Sequence, residues 1–268
     1  MDLPHYKTSE LAPAHGIAAA AESRKLFSRD LLEVAIAFLL IMLALWSGPL
    51  QQKVIGVGTL CWIVASTWRS RQSADALGLR LSGVRRSLWI VCAALVAAAL
   101  VIWIASRMGT LHSVKFHGVW VEWSILAYTL WALVQQFILQ DFFLARLLRL
   151  LPTRTAAVIT AAALFAVAHL PNPLLTIATL AWGVVACTLF LRYRSLYSLG
   201  IAHGILGLCL AITIPNTVHH QMRVGLGYVR WHANLPEVHR SQMDQMVSTD
   251  AWVIADATSR RCSRHARP

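Results

Sequence analysis

Four polar side chains interrupt the apolar segment "LWALVQQFILQDFFLARLLR" at residues 130–149: Gln135, Gln136, Gln140 and Asp141. Polar groups inside a membrane helix are costly, so they usually face the bundle interior and mark functional sites. At about 100° per residue, Gln136 and Gln140 share one helix face, and Asp141 points about 120° away from Gln135. The spacing therefore predicts a polar site built from the amides, with Asp141 at a different position on the helix.

Two histidines lie in later apolar segments and could meet these amides. His169 follows Phe165 by four residues, so the two rings are neighbours on one helix face. His203 is accompanied by Gly204 and Gly207, and such small residues allow helices to approach closely. Three helices would then each contribute polar side chains to one place, which is a common way to build a site inside a helix bundle.

The composition indicates the kind of fold that must position these groups. The chain has 268 residues, of which 57% are hydrophobic and only 13% are charged. Soluble domains carry about a quarter charged residues, and apolar runs of bilayer length recur here. The sequence therefore predicts an all-α, polytopic transmembrane helix bundle.

The apolar runs predict about seven membrane spans, with six to eight compatible. They cover residues 30–48, 52–68, 87–105, 119–150, 155–170, 173–191 and 196–214. The fourth run is about 48 Å long at 1.5 Å per residue, which exceeds the ~30 Å hydrocarbon core. We therefore expect this helix to tilt, to bend or to project from the membrane.

Polar segments flank the predicted transmembrane domain, which covers residues 29–231. Residues 1–28 form a polar N-terminal tail, and residues 232–268 are predicted to be a flexible C-terminal tail. An additional interfacial or re-entrant segment is possible at 219–231. We expect its His219 and His220 to lie in an exposed loop, with a position at the mouth of the cavity as the alternative.

The charge distribution favours a membrane surface as the electrostatic partner. The formal net charge is +12, but most Lys and Arg lie in loops and tails between apolar segments. That distribution follows the positive-inside rule and places the N-terminus in the cytoplasm. Anionic lipid is therefore the expected counter-charge, and nucleic acid is not a predicted partner.

Three short motifs, in this order, carry a family resemblance: "QQFILQ" (135–140), "FAVAH" (165–169) and "HGILG" (203–207). They resemble the Glu-Glu-x-x-x-Arg, Phe-x-x-x-His and His-x-x-x-Asn/Asp motifs of the bacterial CAAX-protease and bacteriocin-processing family. These intramembrane proteases are related to the eukaryotic prenyl-protein protease. The resemblance covers about residues 75–215 and implies a multi-pass protein of the bacterial cell membrane.

The resemblance also implies site residues. Gln135, Gln136, His169 and His203 occupy the catalytic positions. Gln140, Phe165 and Gly207 occupy supporting positions. In the family, as the resemblance implies, a glutamate activates the water that attacks the scissile carbonyl, and the histidines hold the water and stabilise the oxyanion.

This chain departs from the family motifs at every charged position. Gln135 and Gln136 replace the glutamates, Gln140 replaces the arginine and Gly207 replaces the asparagine. A glutamine amide cannot act as a general base near neutral pH. Without the two glutamates, the arginine of the motif would be a buried charge with no partner. The replacement of all three charged residues together therefore indicates a redesigned neutral site.

Three functions are compatible with such a site. The first is hydrolysis of peptide bonds in membrane-bound or prenylated peptides. Its base would be His169, His203 or, after a local change of helix geometry, the supporting residue Asp141, with the amides as oxyanion donors. The second is a catalytically inactive relative that binds a membrane peptide or lipid-linked partner as a chaperone, regulator or immunity-type protein. The third is a small transporter or channel.

The sequence predicts no cofactor and no tightly bound catalytic zinc. It contains no HExxH pattern and no carboxylate beside His169 or His203. Its five cysteines form no CxxC pair, so a disulfide framework is not indicated. The predicted partners are therefore membrane lipid and a membrane-associated peptide or protein.

Overall fold

A computed structural model describes residues 11–70, 73–111 and 121–233, and within these ranges the chain is helical and contains no strand. This confirms the predicted all-α class. The helices are α1 (Leu11–Leu45), α2 (Pro49–Arg69), α3 (Leu81–Met108), α4 (Val121–Phe137), a π-helical segment (Ile138–Leu144), α5 (Ala145–Leu150), α6 (Arg154–Val167), α7 (Pro173–Tyr193), α8 (Leu196–Thr213), α9 (Asn216–His219), a 3₁₀ turn (His220–Met222) and α10 (Gly225–Ala233).

The seven predicted apolar segments coincide with helices over most of their described lengths, but α1, α6 and α8 end at Leu45, Val167 and Thr213, before the predicted ends at 48, 170 and 214. Among the described residues, three helices are long and apolar enough to cross a membrane by length and composition: Gly83–Met108, Pro173–Tyr193 and Leu196–Thr213. The number of seven spans stays a prediction. Residues 1–10 of the predicted N-terminal tail and 234–268 of the C-terminal tail lie outside the described residues, and α1 begins at Leu11.

The outer faces of these helices are apolar, as an integral membrane protein requires. Leu39 is 65% exposed, Val96 70% and Ile177 70%, and they belong to three different helices. Exposed apolar surface of this extent would be an association liability in water. The hydrocarbon region of a bilayer provides a matching solvent for it.

The polar site depends on helix α8, which packs between α3 and α4, while α6 packs against α7. The approach of α4 and α8 is very close. A Cβ added to Gly200 would lie 3.1 Å from the Cα of Leu133, and one added to Gly207 would lie 3.0 Å from the Cζ of Tyr128. Since residue numbers rise along α8 as they fall along α4, the two helices are antiparallel.

The predicted long fourth segment is one helical run that contains a π-helical segment. Residues Val121 to Leu150 continue through Ile138–Leu144, where each turn accommodates an additional residue. Leu139, Phe142 and Leu144 from this segment are almost fully buried in the core. The segment therefore changes the faces presented by α4 and α5 relative to one continuous α-helix.

A buried ion pair attaches α1 to α5. The Arg146 side chain has no exposed surface, and its Nη2 lies 2.7 Å from Glu33 Oε2 and donates to Ser66 Oγ at 2.7 Å. Its guanidinium group also lies 3.8 Å from the centre of the Phe142 ring. Near the end of the same run, Arg149 donates two hydrogen bonds to the carboxylate of Asp30. These two pairs thereby compensate the charges of Arg146 and Arg149 across contacts between α1 and α5.

The prediction of an exposed loop at His219 and His220 was wrong. Both side chains are buried, at 2% and 8% exposure. The cause is Asn172, whose side-chain amide donates to the backbone carbonyls of His219 at 2.8 Å and Arg223 at 3.2 Å. The ring of His220 also packs 4.5 Å from that of Tyr228.

The additional segment predicted at 219–231 ends in the short helix α10. It has 9 residues, about 14 Å at 1.5 Å per residue, which is too short for a ~30 Å hydrocarbon core. Its start is held against α1 and the end of α6, because Gly225 N donates to Leu170 O at 2.8 Å and the position of the Gly225 Cα leaves no room for a Cβ beside Leu45. This segment therefore covers one end of the helix bundle.

Candidate functional site

A line of hydrogen bonds joins two of the three glutamines of the first motif to the histidine of the third. Gln140 Nε2 donates to Gln136 Oε1 at 3.2 Å, and Gln136 Nε2 donates to His203 Nδ1 at 3.1 Å. Neither glutamine has exposed surface, and His203 is 9% exposed. Because its Nδ1 accepts a hydrogen bond, the neutral His203 ring carries its proton on Nε2.

The second histidine is held by its own helix. His169 Nδ1 lies 2.7 Å from the carbonyl oxygen of Phe165. A carbonyl can only accept, so Nδ1–H is the donor and Nε2 keeps its lone pair as an acceptor. His169 thus offers an acceptor nitrogen, whereas His203 offers a donor.

An aromatic ring contacts both imidazoles. The Phe165 ring centre lies 4.9 Å from that of His169 and 5.8 Å from that of His203, in both cases edge to face. Trp182 from α7 also lies near His203, at 6.0 Å between ring centres. The structure therefore brings α4, α6, α7 and α8 together around one neutral polar cluster with apolar walls.

Gln135 and Asp141 stand outside this hydrogen-bond line. Gln135 is half-buried and makes no side-chain hydrogen bond to the described residues. Asp141 is 1% exposed and lies in the π-helical segment, and neither of its carboxylate oxygens has a hydrogen-bond partner within the described ranges. The local change of helix geometry is present, but it does not hydrogen-bond Asp141 to either imidazole.

The third motif contains a substitution that the structure explains by packing. At Gly207, where the family motif has Asn or Asp, a Cβ would overlap the hydroxyl group of Tyr128. Sequence reasoning missed Trp182, whose ring centre lies 6.0 Å from that of His203, and Tyr128, which packs against Gly207 one turn beyond His203. A signal was present for Tyr128, since it precedes Gln135 by seven residues and so lies on the same face two turns earlier.

Replacing Gly207 by asparagine is expected to lower the free energy of unfolding by about 1–3 kcal/mol, because the new side chain displaces Tyr128 from a packed contact. Chemical denaturation in detergent micelles measures this loss. Gly58→Asn is the matched control, since a Cβ at Gly58 meets no atom within 4 Å. Equal effects of both substitutions would show that Tyr128 does not constrain position 207.

The site offers hydrogen-bond donors and acceptors but no charge. Within the described part of the chain, no group of three or more His, Cys, Asp and Glu residues is arranged to hold a metal ion. Neither His169 nor His203 has a carboxylate as a hydrogen-bond partner there. Among the groups without a hydrogen-bond partner in the described residues are the acceptor nitrogen of His169, the donor nitrogen of His203, the Gln135 amide and the buried indole N–H of Trp182. These groups suit a neutral polar ligand.

Comparison with known proteins bears on the same part of the chain. No curated protein and no solved structure matches the sequence. A family model described as Type II CAAX prenyl endopeptidase Rce1-like matches residues 118–209, which contain all three motifs and run from α4 into α8. The match confirms the resemblance over these residues, about a third of the chain, which are similar to an Rce1-like membrane protease family.

Proposed function

We propose that this protease-family membrane protein does not hydrolyse peptide bonds and instead binds a membrane-inserted peptide at the Gln136–His203 site. The observation that carries the proposal is the line Gln140–Gln136–His203. It uses both polar atoms of the Gln136 amide and one nitrogen of His203 in neutral hydrogen bonds. The position of an activating acid is thus occupied by a group that cannot accept a proton.

The chemistry of the free groups supports a peptide as the ligand. A peptide segment that is not helical at membrane depth has unpaired N–H and C=O groups, each costly in hydrocarbon. The Gln135 amide can donate to a carbonyl and accept from an N–H, and His169 and His203 add an acceptor and a donor. Phe165 and Trp182 supply the apolar walls that such a segment needs.

Hydrolysis is the second candidate, and one observation favours it. The His169 Nδ1–H donates to the Phe165 carbonyl, so Nε2 is oriented as a base. A histidine base near neutral pH contributes about 10²–10⁴-fold to a rate. Under this candidate His169 would accept the proton of the attacking water, and the Gln135 amide would donate to the oxyanion.

A photocrosslinking experiment tests peptide binding at this site. A benzophenone amino acid replaces Trp182, which faces His203, and synthetic peptides with one apolar span, prenylated or not, are co-reconstituted in liposomes. We expect adducts that contain the intact peptide. Ile177, 70% exposed on the same helix, is the control position and should give no peptide adduct. Equal peptide labelling at both positions would contradict the proposal.

A further inference from the structure

A second, separate site lies between α6 and α7 at the opposite end of α6 from His169. It is a groove of about 460 Å³ whose apolar walls include Ile159, Val184 and Leu191. Arg154 and Arg192 line the same groove. His169 follows the end of α6 and lies ten residues after Ile159, so about 15 Å along the helix axis separates it from the nearest part of the groove.

The two arginines give this groove its chemical character. Arg154 opens α6 and Arg192 lies in the last turn of α7, so both guanidinium groups are at the same end of the groove. The ion pairs found among the described residues involve Arg29, Arg80, Arg146 and Arg149, and neither groove arginine takes part in one. Within the described residues, the groove thus has two arginines without a carboxylate partner at one end, although the Arg192 guanidinium lies 5.4 Å from the centre of the Tyr193 ring.

We propose that this groove binds an anionic phospholipid, with the phosphate between Arg154 and Arg192 and one acyl chain along Ile159 and Val184. Charge complementarity favours this occupant, because guanidinium groups bind phosphate oxygens with paired, charge-assisted hydrogen bonds. Basic pockets between membrane helices are suited to anionic headgroups. The apolar walls are 55% exposed at Ile159 and 38% exposed at Val184, so they are accessible from the lipid phase.

Native mass spectrometry of the detergent-purified full chain, titrated with phosphatidylglycerol or phosphatidylcholine, tests the proposal. We expect phosphatidylglycerol to bind more tightly than phosphatidylcholine. The double variant Arg154→Gln/Arg192→Gln should lose about thirtyfold in phosphatidylglycerol affinity, on the basis of about 1 kcal/mol for each basic residue. Its phosphatidylcholine affinity should stay unchanged.

Two further variants make the result specific to the groove. Arg85→Gln/Arg86→Gln removes the same charge from the exposed start of α3, outside the groove, and should change phosphatidylglycerol affinity less than threefold. Val184→Trp fills the groove without altering charge and should weaken both lipids. Equal losses in the two arginine double variants, or no preference for phosphatidylglycerol in the wild type, would overturn the proposal.

Discussion

Replacing Glu33 by alanine is expected to lower the free energy of unfolding by about 3–5 kcal/mol, because the substitution leaves the buried Arg146 without its counter-charge. The Arg146 side chain has no exposed surface and bonds Glu33 through both Nε and Nη2. Its remaining partners, Ser66 and the Phe142 carbonyl, carry no net charge. Chemical denaturation in detergent micelles measures the loss.

Two control variants separate the buried charge from a general effect on α1. Glu33→Ala/Arg146→Met should recover most of the loss, since replacing a whole buried pair by apolar groups is often neutral. Asp30→Ala breaks the neighbouring pair, in which Arg149 is 47% exposed, and should cost only about 1 kcal/mol. If Glu33→Ala lowered the free energy of unfolding no more than Asp30→Ala, the buried Arg146–Glu33 ion pair would not be the contact that attaches α1 to α5.

Replacing Gln136 by leucine is expected to lower the free energy of unfolding by about 1–3 kcal/mol, because Gln140 Nε2 and His203 Nδ1 both lose a buried partner. The yield of the crosslink between a peptide and position 182 should also fall in this variant, because the His203 ring loses the hydrogen bond that orients it. Both quantities are measured on the same purified variant, by denaturation in micelles and by adduct yield in liposomes.

Gln135→Leu is the matched control for this prediction. Gln135 is half-buried and forms no side-chain hydrogen bond to the described residues, so its loss should change stability by less than about 0.5 kcal/mol. Peptide labelling should nevertheless fall, because the Gln135 amide is one of the groups proposed to contact the peptide. Equal destabilisation by Gln135→Leu and Gln136→Leu would mean that the observed hydrogen-bond line does not stabilise the bundle.

Helical periodicity predicts those contacts in the site that join residues four positions apart. The spacing of four residues predicts that Gln136 and Gln140 share a face, and their side chains are hydrogen-bonded in the structure. The same spacing predicts the contact between the rings of Phe165 and His169. Such local geometry follows from residues one turn apart and requires no knowledge of tertiary packing.

Other features depend on partners that are distant in sequence. Arg146 and Glu33 are separated by 113 positions, so nothing local indicates that they pair. The burial of His219 depends on a hydrogen bond from Asn172 to a backbone carbonyl, which residue type does not reveal. The π-helical segment interrupts a run of residues whose apolar pattern suits an ordinary α-helix. The number of membrane crossings and the cytoplasmic position of the N-terminus stay predictions.

Under the proposed function, the site binds a membrane peptide without cutting it. The most direct test incubates the purified wild type with the peptide that labels at position 182 and analyses the peptide by mass spectrometry. The triple variant Gln135→Glu/Gln136→Glu/Gln140→Arg, which restores the charged residues of the first family motif, shows whether that peptide is cleavable. We predict that the wild type leaves the peptide intact, as His203→Ala does. Cleavage products from the wild type that disappear in His169→Ala and His203→Ala would show instead that the site hydrolyses the peptide.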